Sequence, residues 1–324
     1  VLFRSGENQQ GGTAIMVLTR CGQENFDMLT NNTKGFIKGE GMFDPPISTG
    51  TPTGRSSLAL IDEEIAILEM LRDAKNAGYF SKIVVLLNTG NTMEVGWMDD
   101  YGVDACVYTG LLGGVGAHGV AKLLAGEANF SGRIVDTYAV NSLSAPAIVN
   151  SNGNSQTYIN GDEVEAAVIG TISPFADTGR YMNFQAENIY VGYKYYETRY
   201  EDAVLNRGNA SGSAGASNGA SEWKYENEVS YTFGHGLSYT TFEEKLDKVE
   251  YNADKDVYEV TVTVTNTGSV AGKRTVLVFA QTPYGDYEKS NKVEKSAITF
   301  VGFEKTGELA PNASETVKIE VERY

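Results

Sequence analysis

Apolar runs of strand length alternate with stretches of helical period along the first 140 or so residues. TAIMVLT (Thr13–Thr19), KIVVLLNTG (Lys82–Gly90) and DACVYTG (Asp104–Gly110) read as buried strands. SGRIVDTYA (Ser131–Ala139) is a last, weaker one. Between them, LIDEEIAILEMLRDAKNAGY (Leu60–Tyr79) places apolar residues at 65, 67, 68 and 71. That stripe predicts an amphipathic helix with Asp62 as N-cap and Gly78 as its stop. GVAKLLAGE (Gly119–Glu127) predicts a short helix ending at Gly126. Continuous apolar strands separated by helices predict an α/β sandwich, a mostly parallel sheet with helices on both faces. Loops leaving the carboxyl ends of such strands are the default place for a functional site.

The pattern then changes twice. From Asn141 to Ala186 it fades into Ser/Asn-rich loop. ENIYVGYKYYETRY (Glu187–Tyr200) is an aromatic, strand-like run, and RGNASGSAGASNGASEW (Arg207–Trp223) reads as a low-complexity surface loop. From Phe242 onward apolar and polar residues alternate with period two, as in VYEVTVTVTNTGS and in ETVKIEVE. Such strands between regular turn signals predict a small antiparallel sandwich of fibronectin type III or immunoglobulin-like size. The expected organisation is an α/β domain over 6–241, with 207–223 as its low-complexity loop, and an all-β sandwich over 242–324.

Length supports two domains, since the chain has 324 residues. The formal net charge is −16 with no dense Lys/Arg run, so nucleic acid and anionic membrane surfaces are poor partners and neutral substrates are easier. Two cysteines, Cys21 and Cys106, are too few for a disulfide scaffold. No apolar run reaches membrane-spanning length and no signal peptide is recognisable. The opening VLFRS matches the translation of a sequencing adapter, so Val1–Ser5 are expected to be extraneous. Location is left open between the bacterial cytoplasm, taken first, and a secreted or periplasmic site. Homo-oligomerisation is compatible with the sequence and not specified by it.

Candidate chemistry centres on TRCGQENFDM (Thr19–Met28), which follows the first strand. From the residues alone Glu24 is more often a solvated loop charge than a catalytic group. Glu40, in KGEGMFD, is a local rival placed well beyond the strand. GLLGGVGAHG (Gly110–Gly119) has the wrong spacing for a dinucleotide or phosphate loop and reads as a tight strand-to-helix turn. His118 and His235 are lone histidines without a metal-ligand set, Cys21 has no evident His partner and reads as a buried thiol, and the tyrosines of IYVGYKYY read as packing groups. The sequons at Asn31, Asn129, Asn209 and Asn312 carry no weight without evidence of a eukaryotic secretory route. No cofactor or metal is called for.

One string is more specific. YTFGHGLSYTTFE (Tyr231–Glu243) reads as a turn on Gly234 and Gly236 between aromatic anchors, a packed joint leading into the sandwich. It resembles the Phe-Gly-Tyr-Gly-Leu-Ser-Tyr-Thr-x-Phe signature of family 3 glycoside hydrolases, the β-glucosidases and β-xylosidases, with His235 where Tyr is commoner. ENIYVGYKYYET, KIVVLLNTGNTMEVGWMDD and GVAKLLAGEANFSGRIVDTYA resemble further family segments in the same order, the last with Phe130 in place of Pro.

The resemblance implies a fold and a division of labour. Family 3 chains usually combine a (β/α)8 barrel, an α/β sandwich and a fibronectin type III-like domain. The barrel carries the nucleophilic Asp, and a loop of the α/β domain carries the general acid/base. This chain would contain the second and third parts, with the last cut short, and the barrel would be its partner elsewhere in the polypeptide. The acid/base loop often reads Ser-Arg-x-x-Gly-Glu-Gly-x-Asp-Arg. Thr19, Arg20, Glu24 and Asp27 align with it, whereas Gln23, Asn25 and Met28 depart from it. The implied function is retaining hydrolysis of terminal β-linked sugars, most often β-glucosides. Glu24 would be the acid/base, and Arg20 and Asp27 would order the loop or touch substrate. The alternative is a non-catalytic carbohydrate-binding or surface-interaction module, with a nucleotide-binding α/β protein a distant third.

Overall fold

The computed structural model describes residues 11–20, 56, 58–149, 187–207 and 222–323. The chain divides into two compact units built from discontinuous stretches. One takes Val1–Leu111, Tyr138–Gly192 and Ser211–Ser230; the other takes Leu112–Thr137, Tyr193–Ala210 and Tyr231–Tyr324.

The first unit is organised by a parallel sheet of β1 (Thr13–Arg20), β2 (Lys82–Thr89) and β3 (Ala105–Tyr108), in that order. Register sets Met16 beside Val85, Leu18 beside Leu87 and Arg20 beside Thr89. Because side chains alternate along a strand, these residues share one face. Met16, Leu18, Ile83, Val85 and Leu87 are buried there. The opposite face is less covered than its apolar sequence predicts: Ile15 and Val17 remain 46% and 52% exposed.

Helix α1 (Asp62–Asn76) links β1 to β2, packs against β2 and buries Leu68 and Leu71. Each fully buried leucine contributes about 1.5–3 kcal/mol. The helix begins one residue earlier than expected: Ile61, not Asp62, holds the N-cap position. Ile has no side-chain acceptor, and the Glu64 carboxylate takes the Ile61 N–H instead, at 3.0 Å. Asp62, Glu63 and Glu64 in the first turn and Lys75 in the last complement the helix dipole. The stop is as expected, with Gly78 at φ +82°. Lys75 then reaches Asp104 (2.7 Å), which also accepts the Ile83 N–H (2.8 Å). Partial desolvation pulls the Asp104 pKa up, but the Lys75 and Ile83 hydrogen bonds outweigh it and hold the carboxyl below its usual value. A short pair, β4 (Tyr138–Ala139) with β5 (Val229–Tyr231), completes the sheets of this region. Only these two residues of the predicted Ser131–Ala139 strand are extended into a ladder.

The second unit contains α2 (Ala117–Leu124), near its predicted place, and an antiparallel sandwich. One sheet has the order β10-β7-β6, from β6 (Phe242–Asn252), β7 (Val257–Asn266) and β10 (Ser314–Glu322). The other pairs β8 (Thr275–Ala280) with β9 (Thr299–Lys305). Val260, Val262, Val264, Val276, Val317, Ile319 and Val321 form one core from both sheets, with Phe242 and Val301 against it. Under that core, fully buried Asn266 does the work of several turns. Its Oδ1 accepts from Thr240 Oγ1 (2.7 Å) and Gly268 N–H (3.0 Å), and its Nδ2 donates to the Val270 and Leu309 carbonyls, both at 2.8 Å. Strand β6 is amphipathic, and its apolar residues share the core face: Leu246 lies beside Val262 and Val249 beside Val260. Beyond Phe242 that side stays open, with Leu246 61% and Val249 54% exposed.

The run Glu187–Tyr200, expected to be extended, is instead largely the helix Tyr193–Ala203. Tyr195, Tyr196 and Arg199 are its buried residues, a spacing of three and four that belongs to a helix. Tyrosine's strand preference is overridden by packing. Tyr193 sits among Phe233, Phe279 and Phe300, with ring centroids 4.8 Å from Phe233 and 6.1 Å from Phe279, and its hydroxyl accepts the Phe300 N–H at 2.9 Å.

The YTFGHGLSYTTFE string is the joint that holds this unit together. Phe233 enters the ring cluster, while the Gly234 N–H donates to Ile134 O and the Ile134 N–H to His235 O, both at 2.9 Å. Gly234 has φ +82° and lies against Leu277, so a side chain there meets both backbone strain and a clash. Tyr239 donates to Leu123 O (2.8 Å) and packs edge-on to Phe130, at 5.3 Å between centroids. Asn129 ties the same place, accepting from Ser238 Oγ and the Tyr239 N–H and donating to Ala271 O. Its sequon amide nitrogen is thus bonded to the Ala271 carbonyl.

Asn266→Ala is expected to lower the stability of the second unit by about 2–4 kcal/mol, because it orphans several buried groups at once. The shift of its transition in urea measures this; a change under about 0.5 kcal/mol contradicts the role given to Asn266.

Candidate functional site

The carboxyl ends of β1 and β2 meet at Arg20 and Thr89. Strand alternation puts Arg20 on the buried face, in line with Met16 and Leu18, and it is 8% exposed. A guanidinium cannot give up its proton, so burial there requires a partner charge. Glu64 supplies it as a two-pronged clamp: Nη1 donates to Oε1 at 2.6 Å and Nη2 to Oε2 at 2.8 Å. Nη2 also donates to Ala59 O and Nη1 to Thr19 O, each at 2.8 Å. The Glu64 side chain is 12% exposed. Removing one partner of such a pair costs about 3–5 kcal/mol, mostly because the other charge is left buried alone.

The chain around this clamp is fixed on both sides. Ser56 Oγ accepts the Leu58 N–H (3.1 Å), and Leu58 O accepts the Glu94 N–H (3.0 Å) from the loop after β2. Thr89, fully buried, accepts the Asn91 N–H and closes the turn that ends β2. Glu94 accepts both the N–H and the hydroxyl of Ser142, at 2.8 Å each, and its carbonyl takes the Trp97 indole N–H at 2.6 Å. The result is a hydrogen-bonded polar rim at the carboxyl edge of the sheet.

Among the predicted site residues, Arg20 lies in this rim. Glu24 and Asp27, like Cys21 and the rival Glu40, lie outside the described residues. Glu64 was not singled out from the sequence. The sequence offered no local signal for it, since the expected N-cap was Asp62 and the pairing with Arg20 spans 44 residues.

The other candidates sit elsewhere. His118 is exposed on α2. His235 packs on Tyr231 with centroids 4.6 Å apart, and partial burial and then the Arg133 charge lower its pKa. GLLGGVGAHG forms the turn from β3 to α2, with Gly110 and Gly113 at φ +62° and +59°. Among the described residues no three His, Cys, Asp or Glu side chains group as a metal site, and no helix is long and apolar enough to cross a membrane.

Residues 12–239 match the family described as the glycosyl hydrolase family 3 C-terminal domain. The chain belongs to this family. Similar proteins include a β-glucosidase of Ruminococcus albus, 32% identical over 265 residues, covering 82% of this chain and 21% of that protein. β-Glucosidase A of Butyrivibrio fibrisolvens is 26% identical over 321 residues, 95% of this chain and 31% of its own length. Among solved structures, β-glucosidase 3B of Thermotoga neapolitana matches with a TM-score of 0.61 at 24% identity, over 95% of this chain and 32% of that one, a likeness of fold. The chain therefore spans about a fifth to a third of the length of these relatives.

Desolvation of the half-buried Cys106 thiol pushes its pKa up to about 12, which leaves almost no thiolate at neutral pH. Iodoacetamide at pH 8 is expected to alkylate Cys106 at least about ten-fold more slowly in the folded chain than in urea. Peptide mass spectrometry reads the rate, and equal rates contradict the burial.

Proposed function

We propose that this chain is part of a retaining β-glycosidase acting on terminal β-linked sugars, β-glucosides first, and that it supplies the general acid/base, Glu24. Family membership and the names of the similar proteins support the reaction class. The observation that carries the assignment is the clamp at Arg20. Glu24 lies four residues beyond it, on the segment leaving the carboxyl end of β1. That is where an open α/β sheet offers its loops to a ligand.

On this reading the nucleophilic carboxylate comes from a (β/α)8 barrel outside these residues. The two carboxyl groups must approach to about 5–5.5 Å for retention. In the first step the nucleophile attacks the anomeric carbon while Glu24 gives its proton to the departing glycosidic oxygen. In the second step Glu24 takes a proton from water as the water oxygen attacks the glycosyl-enzyme. A neighbouring nucleophile's negative charge, together with burial, keeps Glu24 protonated near neutral pH. Arg20 and Asp27 order the loop. The sandwich beginning at Phe242 is read as fibronectin type III-like, supported by its two antiparallel sheets sharing one core.

Glu24→Ala in the full-length polypeptide is expected to lower kcat by about 10²–10⁴-fold, with partial rescue by azide as a β-glucosyl azide product. Full activity in that variant overturns the assignment. The 324-residue chain alone is expected to be inactive on aryl β-glucosides, and turnover abolished by Glu24→Gln would show a second carboxylate within it.

A further inference from the structure

The two faces of the parallel sheet are not alike. Met16, Leu18 and Arg20 lie on the buried face, and Glu64 in the first turn of α1 reaches Arg20 there, so α1 packs on that side. The opposite face follows from strand alternation. Register sets it out in rows: Thr13 beside Lys82, Ile15 beside Val84 and Ala105, Val17 beside Leu86 and Val107, Thr19 beside Asn88. Two apolar rows are thus framed by two polar ones. They measure about 7 Å along the strands and about 10 Å across them, the footprint of one helix. Ile15 and Val17 stay 46% and 52% exposed, and Val84, Leu86 and Val107 are half-buried.

Handedness explains the difference. The strands step across the sheet in one direction, β1 to β2 to β3. Right-handed crossovers that step one way all fall on one face, here the face of α1. Covering the other face falls to a crossover that steps the opposite way, outward from β1. Among the described residues β1 has a neighbour on one side only, so that edge is free. Parallel sheets are otherwise covered on both faces. We propose that Ile15, Val17, Val84, Leu86 and Val107 form the docking face for a strand and helix of the same full-length polypeptide, outside residues 1–324. The strand pairs parallel to the free edge of β1, and the apolar side of the helix lies over the two apolar rows. This chain spans about a fifth to a third of the length of its relatives, which leaves room for such a unit. A second copy fits the face less well. Two-fold pairing of β1 with β1 is antiparallel, extends the sheet and leaves the apolar face of both copies open. Like the proposed function, the inference needs a longer polypeptide, but it does not need the role given to Glu24.

Three readouts on the full-length polypeptide test this without any activity. Val17→Cys is expected to react with iodoacetamide at least about ten-fold more slowly in native buffer than in urea. Trypsin cuts after Arg20, so its peptide is separate from that of Cys21. A native rate within about three-fold of the rate in urea means an open face and overturns the proposal. Hydrogen exchange over Thr13–Arg20 reads the strand pairing. Nearly all of these amides should be slow, and an edge-strand pattern with about half of them fast overturns it. p-Benzoylphenylalanine in place of Val17 identifies the occupant on irradiation; the same probe in place of Thr13, at the exposed margin of the face, serves if bulk at 17 disturbs folding. The expected crosslink is to a segment outside residues 1–324 whose apolar residues recur three and four apart. Crosslinks confined to residues 1–324, or to a second, isotope-labelled copy, overturn the proposal, as does a natural reading frame with no such segment. Glu24→Ala should leave all three readouts unchanged, so this inference and the acid/base reading fail separately.

Discussion

A guanidinium at the end of a buried strand is the constraint from which the carboxyl edge of the parallel sheet follows. Arg20 cannot shed its charge, so β1 can end there only if an anion is delivered to the same place. Glu64 delivers it, and can do so only because α1 begins immediately beside the carboxyl edge of the sheet. The position of the helix start, the turn through Ser56–Ala59 and the loop carrying Glu94 are then mutually determined through short, directional bonds. Bidentate pairing matters here, since it fixes an angle as well as a distance. An α/β sheet ordinarily offers its loops as loosely tethered excursions. In this one the last residue of β1 is tied to the helix that precedes β2.

Much of this was legible in the sequence, and for identifiable reasons. Continuous apolar runs at Thr13, Lys82 and Asp104 gave the three parallel strands, and the stripe through Leu68 and Leu71 gave α1. Period two gave the strands after Phe242. The failures came where local preference and packing disagreed. The tyrosines of 193–200 favour strands, yet their three- and four-residue spacing suits a helix against Phe279 and Phe300, and that contact decides. Ser131–Thr137 looks extended but is held by single bonds to the 231–236 turn rather than by a ladder. Of the candidate site, Arg20 was visible in a motif, whereas Glu64 was not. Its role depends on a pairing 44 residues away that no local pattern announces.

The YTFGHGLSYTTFE string illustrates the opposite case, a motif in which most residues have a packing or hydrogen-bonding role, although Leu237 is 77% exposed. Phe233 joins an aromatic cluster, Gly234 avoids Leu277, Ser238 and Tyr239 bond Asn129, and Thr240 bonds Asn266. Phe130, where Pro would have been commoner, finds its reason in the Tyr239 ring. The family resemblance of this stretch thus rests on residues that pack and hydrogen-bond within their own unit. It is specific because a joint between three chain segments tolerates few side chains at each position.

Strand β6 carries a different consequence. Its apolar side, Leu246 and Val249, faces solvent on the same side as the core, and it is the outer strand of its sheet. Such an edge is a template on which another chain can grow a sheet. What stands against that is local: a bulge between Leu246 and Lys248 breaks the ladder, and Lys245, Lys248 and Glu250 line the other side with charge. The irregular step at Asp247 thus interrupts the pairing pattern that a second chain would have to continue along this edge.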